Sequence, residues 1–125
     1  MKKIILLFAI IGLFACSETK TSQEPDYTFE KEQMEFYKMD WTRSKNHILA
    51  VVDSMPEMKL DFKSNEEARS FSENIKHMVG ANYNMISTAL SIEAPKIDMK
   101  AIQKKAELLS TVDEGYNWVL KSLDE

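Results

Sequence analysis

Three glycines, three prolines, two histidines and one cysteine are the scarce residues of this 125-residue sequence. A single cysteine, Cys16, excludes a disulfide within the chain. Two histidines, His47 and His77, cannot supply the three protein ligands that zinc takes even at an open catalytic site. Gly12, Gly80 and Gly115 stand far apart, so no glycine-rich phosphate loop or Walker pattern exists. Serines and acids abound, yet no Ser-His-Asp, Cys-His or paired-carboxylate arrangement stands out. Basic residues are the minority, with 16 Lys and Arg against 20 Asp and Glu and a net charge of −4. That balance argues against nucleic-acid backbone binding, which needs clustered cations. Strand-like alternation does not persist anywhere, and no internal repeat is visible.

One long apolar run is present, at the N-terminus. MKKIILLFAIIGLFAC has a positive Lys2-Lys3 start, an apolar stretch from Ile4 to Phe14 and the small Ala15 before Cys16, the layout of a secretory signal. The run falls short of the roughly 20 apolar residues that span a bilayer as a helix. LFAC resembles a bacterial lipobox, with Phe14 where a small residue is usual. The expectation is a lipoprotein signal peptide over 1–15 and a diacylated Cys16, anchored by burial of its acyl chains. Removing Lys2 and Lys3 leaves 14 basic against 20 acidic residues, a net of −6, which opposes electrostatic attachment to anionic lipid. Residues 16–26, with the polar run SETKTSQEPD, read as the lipidated cysteine and a flexible tether. Residues 27–125 suffice for one small helical domain. The expected location is the cell envelope. Ser17 is unlike the aspartate that some bacteria use for inner-membrane retention, which favours the outer membrane or its periplasmic face.

Three segments show helical spacing, predicting an all-α, antiparallel helical bundle. The first runs from about Phe29 to Asp53 and is stopped by Pro56, with Met34, Tyr37, Trp41, Ile48, Val52 and Met55 as its stripe. The second starts at the capping box Ser70-Phe71-Ser72-Glu73 and ends near Leu90. Its stripe is Phe71, Ile75, Met78, Asn82, Met85, Ile86 and Ala89. Asp98 is the expected N-cap of the third, which reaches Ser122 with Met99, Ile102, Ala106, Leu109, Val112, Tyr116, Leu120 and Leu123 as its stripe. Gly115 interrupts that pattern at a cost of about 1 kcal/mol relative to alanine. Trp118, Phe36 and Met39 lie off the stripes and are expected to be exposed.

The stretch ILAVVDSMPEMKLDFKSNEEARSFSENIKHMVGANYNMI resembles the DinB-like family. Met55-Pro56-Glu57 closing a first helix, Asp61-Phe62-Lys63, Ser70-Phe71 opening a second and His77 two turns in carry the likeness, and EGYNWVLKSL is similar to the family's third helix. The resemblance implies a four-helix bundle, of which three long helices are present here. It implies one divalent metal, of zinc or nickel type, on three histidines: one on the second helix and two from an H-x-x-x-H on the last. Some members transfer low-molecular-weight thiols. His77 matches the first ligand, and no residue of this sequence matches the other two.

Two readings of His77 follow. It is a metal ligand of a domain incomplete in this chain, with Glu73 one turn away as the only helical neighbour able to assist. Otherwise it is an ordinary polar residue, since its neighbours on the wheel are Glu73, Asn74, Ala81 and Asn84. His47 also lies off the apolar side of its helix. The alternative function is a non-enzymatic helical lipoprotein that binds a helical partner or forms a homodimer through an open apolar face.

Overall fold

The computed structural model describes residues 27–124. The predicted signal peptide, Cys16 and the tether lie outside the described residues. Three α-helices and one 3₁₀ turn form the described domain: α1 (Thr28–Ser54), the turn Glu57–Lys59, α2 (Phe71–Leu90) and α3 (Lys105–Ser122). The domain is an all-helical bundle, as the apolar spacing predicts.

Proline ends α1 as expected. Met55, held extended by the ring of Pro56, takes φ −71° and ψ 125°. The chain then turns through Glu57–Lys59, buries Leu60, and hydrogen-bonds the Phe62 and Leu60 carbonyls to the Phe71 and Ser72 amides. Asn65 closes a local turn by accepting from the Glu67 and Ala68 amides. These bonds tie the connection to the start of α2.

The capping box is formed. Ser70 Oγ accepts from the Glu73 amide at 3.2 Å, and Glu73 Oε2 accepts from the Ser70 amide at 2.6 Å. At its other end α2 closes on Ser91 in the left-handed region, φ 56°, with the Ile92 amide donating to the Ser87 carbonyl.

Helix α3 starts later than Asp98. Asp98 does cap a backbone amide, that of Lys100 at 3.0 Å, but it closes a single turn. The Ile102 carbonyl then accepts from Lys76 Nζ at 2.8 Å, a tie that draws the chain onto α2 before the helix begins. The helix starts where Glu107 Oε2 accepts from both the Gln103 and Lys104 amides.

Helix α3 packs against both other helices. Against α1, Lys38 pairs with Asp124, Lys45 with Asp113 and Asn117, and Lys105 with the Asp53 carbonyl. That reversed order makes α1 and α3 antiparallel. Lys105 also brings to the end of α1 the cation that its own last turn lacks. The start of α2 lies beside Ile102, just ahead of α3, so α2 and α3 run in the same direction, which departs from the antiparallel arrangement the sequence predicts. The long return segment between them, with Ala94 and Ile97 packed on the core, allows this.

The core is Val52, Leu60, Ile75, Val79, Tyr83, Ile102, Leu108, Val112 and Tyr116. Full burial of such side chains contributes about 1.5–3 kcal/mol each. The predicted stripes are shifted on two helices. On α2 the buried residues are Ser72, Ile75, Val79 and Tyr83, whereas Met85 is exposed. On α3 they are Leu108, Thr111, Val112, Gly115, Tyr116, Val119 and Ser122, whereas Ala106 is exposed. The buried faces thus include the small or polar Ser72, Thr111, Gly115 and Ser122, which hydrophobicity alone does not mark.

Gly115 now has a reason. A Cβ there would lie 2.7 Å from Val79 Cγ1, so the missing side chain is what lets α2 and α3 meet. At Gly80 a Cβ would meet nothing within 4 Å. Gly115→Ala is therefore expected to destabilise the domain by about 1–3 kcal/mol despite its better helix propensity. Gly80→Ala is expected to stabilise it, by up to about 1 kcal/mol. Urea unfolding of the two variants checks both signs, and the same sign for both would refute the close-approach account.

Candidate functional site

His77 lies on the exposed side of α2. Its surroundings follow from the helix start. Glu73, one turn before it, spends one carboxylate oxygen on the Ser70 amide and lies 3.9 Å from Lys63 Nζ. Asn74 donates to the Arg69 and Ser70 carbonyls. These two neighbours are thus engaged in closing the N-terminus of α2. Among the described residues no group of three or more His, Cys, Asp or Glu side chains lies close enough together to hold a metal ion. The ligand set implied by the family resemblance is therefore not assembled by the described residues, and no chemical step is derived through a metal. His47 is exposed on α1.

Trp118 is not the open position that the helical wheel suggests. Its ring meets Tyr83 edge-on, with centroids 5.1 Å apart, and it is half-buried against the core. Because the centre of the α3 face lies nearer Gly115 and Val119 than the predicted stripe, Trp118 falls at the edge of the α2 contact.

The exposed apolar surface lies on α1 instead. Phe36 and Met39 are exposed, as expected, and so are Tyr27, Phe29 and Tyr37. Asp124, at the end of α3, pairs with Lys38. The turns of α1 before Lys38 therefore project past the paired part of α3, by about 15 Å at 1.5 Å per residue. Tyr37 belongs to the predicted stripe yet stays 54% exposed for this reason. A shallow cavity of about 230 Å³ between Tyr37, Asp40, Trp41 and Ser44 continues this surface towards the core. No described helix is long and apolar enough to cross a membrane.

A larger open cavity, about 540 Å³, lies at the opposite end of the bundle. The connection after α1, the first turn of α2 and the segment just before α3 wall it. Lys63, Arg69, Lys76 and Lys100 line it together with Asp61 and Glu73. Sequence reasoning missed this grouping, because its cations are scattered from 63 to 100 and only the fold brings them together.

Compared with known proteins, the chain matches no family model, no curated protein and no solved structure.

The two helix starts carry a pH signature. The hydrogen bond from the Ser70 amide, helped by nearby Lys63 and Lys76, holds the Glu73 carboxyl below its usual range. The Gln103 and Lys104 amides do the same for Glu107. A carboxyl whose pKa is lower in the folded state contributes stability above its unfolded value, about 4.3, and loses it as pH falls through the folded value. Thermal stability is expected to decline below about pH 4 for this reason. In a Glu73→Gln, Glu107→Gln double variant the melting temperature at pH 7 should fall and its acid dependence should flatten. An acid limb identical to wild type would show that these caps do not couple to folding.

Proposed function

We propose that this protein is a lipid-anchored, DinB-like helical domain of the cell envelope that works as a binding module. It is held at the membrane by acyl chains on Cys16 and associates with a helical partner or a second copy of itself through the N-terminal half of α1. The observation that carries the reading is the run of exposed Phe29, Phe36, Tyr37 and Met39 on turns of α1 that no described segment covers. Several large apolar side chains exposed on one helix favour an interface there, because leaving apolar area in water forfeits about 25 cal/mol for each Å². Helix-in-groove pairing suits a projecting helix. The acidic balance, −6 after loss of Lys2 and Lys3, leaves the lipid rather than surface charge to hold the membrane.

The second reading keeps His77 as one ligand of a zinc- or nickel-type divalent metal. Support for it is the placement of His77 two turns into a helix opening with Ser70-Phe71. The donors within reach do not fit a complete site, since Glu73 is held in the capping box.

Sedimentation equilibrium of the detergent-solubilised mature protein is expected to show a concentration-dependent mass above the monomer, unless a separate partner is required. Phe36→Glu should abolish that association, and the loss of apolar-dye binding should accompany it. A monomer at every concentration, together with no dye binding by wild type, would sink the binding-surface reading. Cys16→Ser should move the protein out of the membrane fraction. Metal content should be equal in wild type and His77→Ala, and stoichiometric metal lost on His77→Ala would restore the second reading.

A further inference from the structure

The 540 Å³ cavity is within the size range of small-molecule sites, yet nothing in the α1 surface or in His77 accounts for it. Four cationic side chains converge on it in a protein that is net negative. Lys63 and Arg69 come from the connection before α2, Lys76 from α2 itself, and Lys100 from the return segment before α3. Asp61 and Glu73 oppose them, which leaves the lining more positive than negative.

Lys76 is held in place. Its Nζ donates to the Ile102 carbonyl at 2.8 Å, across 26 residues of sequence, and this partner is neutral. The ammonium is therefore positioned at the cavity wall with no carboxylate in direct contact among the described residues. Arg69 and Lys100 are exposed, and neither side chain forms an ion pair among the described residues. Lys63 shares Glu73 at 3.9 Å, a long and weak pairing. The first amides of α2 are already taken by Phe62, Leu60 and Ser70. An incoming ligand would thus be held by side chains and not by the helix start.

We infer that this cavity binds a compact, phosphoryl-bearing polyanion, held by Lys63, Arg69, Lys76 and Lys100. Cations from three separate segments can reach the oxygens of a tetrahedral group from different directions, whereas a lone carboxylate offers two oxygens in one plane. The guanidinium of Arg69 adds the planar fork suited to phosphoryl oxygens. A soluble phosphate and a lipid headgroup share this chemistry, and the titrations below separate the two. Lys105 ties the start of α3 to Asp53 near the end of α1, so the cavity sits at the opposite end of α1 from Tyr27. Twenty-seven residues of helix separate the two ends by about 40 Å. The inference does not depend on what the α1 surface binds.

The test is calorimetric titration of the full mature protein, in zwitterionic detergent, with pyrophosphate at fixed ionic strength. Saturable binding that weakens as salt rises is expected. An Arg69→Gln, Lys100→Gln double variant should weaken it by about tenfold or more, with an unchanged melting curve because both side chains are exposed. Lys76→Gln should weaken it too, and Lys76→Arg should restore part of the loss. No heat above a matched chloride titration, or equal affinity in the double variant, would overturn the assignment. Binding of the acyl-free Cys16→Ser protein to phosphatidylglycerol nanodiscs that the Arg69→Gln, Lys100→Gln changes abolish, without pyrophosphate binding, would assign the cavity to a headgroup and not to a soluble ion.

Discussion

Two adjacent residues of α3, Gly115 and Tyr116, set the geometry on which the rest of the domain depends. Gly115 removes the one side chain that would hold α2 away, since its Cβ would strike Val79. Tyr116 fills the space that the approach creates. Its ring packs edge-on against Trp41 of α1 at 5.5 Å. Its hydroxyl lies 2.9 Å from Ser44 Oγ of α1 and 3.8 Å from Met78 Sδ of α2. One buried side chain thus touches all three helices, and its polar atom has partners, so burial does not leave a costly unpaired group. Helix α3 is central because this pair gives it two faces to bury.

The connections do as much as the helices. Leu60 and Ile102 are buried residues outside any α-helix, one on each connection. Each is fixed at the same end of the bundle, Leu60 through the Ser72 amide and Ile102 through Lys76. A short loop after α2 would force α3 to run back antiparallel to it. The long return segment removes that constraint and lets both helices start at one end. The cavity and its cations exist because two connections and one helix start meet there.

For function the same topology separates two ends. Turns of α1 that extend past Asp124 present large apolar side chains, and the other end presents a polar, cationic cavity. A domain with distinct ends can engage two kinds of chemistry at once. His77 lies on α2 beside a carboxylate already committed to capping, a setting that holds a helix start together.

The local features were legible in the amino-acid order. Pro56 stopping α1, the Ser70–Glu73 capping box and the three helices are decided by backbone chemistry within a few residues, so short motifs report them. The buried faces of α2 and α3 were not legible. Ser72, Thr111, Gly115 and Ser122 are buried although none is a large hydrophobe, and no hydrophobic pattern records that. Helix α3 starts later than the capping side chain of Asp98 suggests, because the competing tie from Lys76 to Ile102 spans 26 residues. Trp118 was read as open because a wheel shows one helix, and Tyr83 covers it from another. Which segments are helical, and where proline and the serine cap bound them, thus follows from residues close together in the chain. Which faces meet, which cations gather and how far Trp118 is covered follow instead from packing between residues far apart in the chain, which no local pattern encodes.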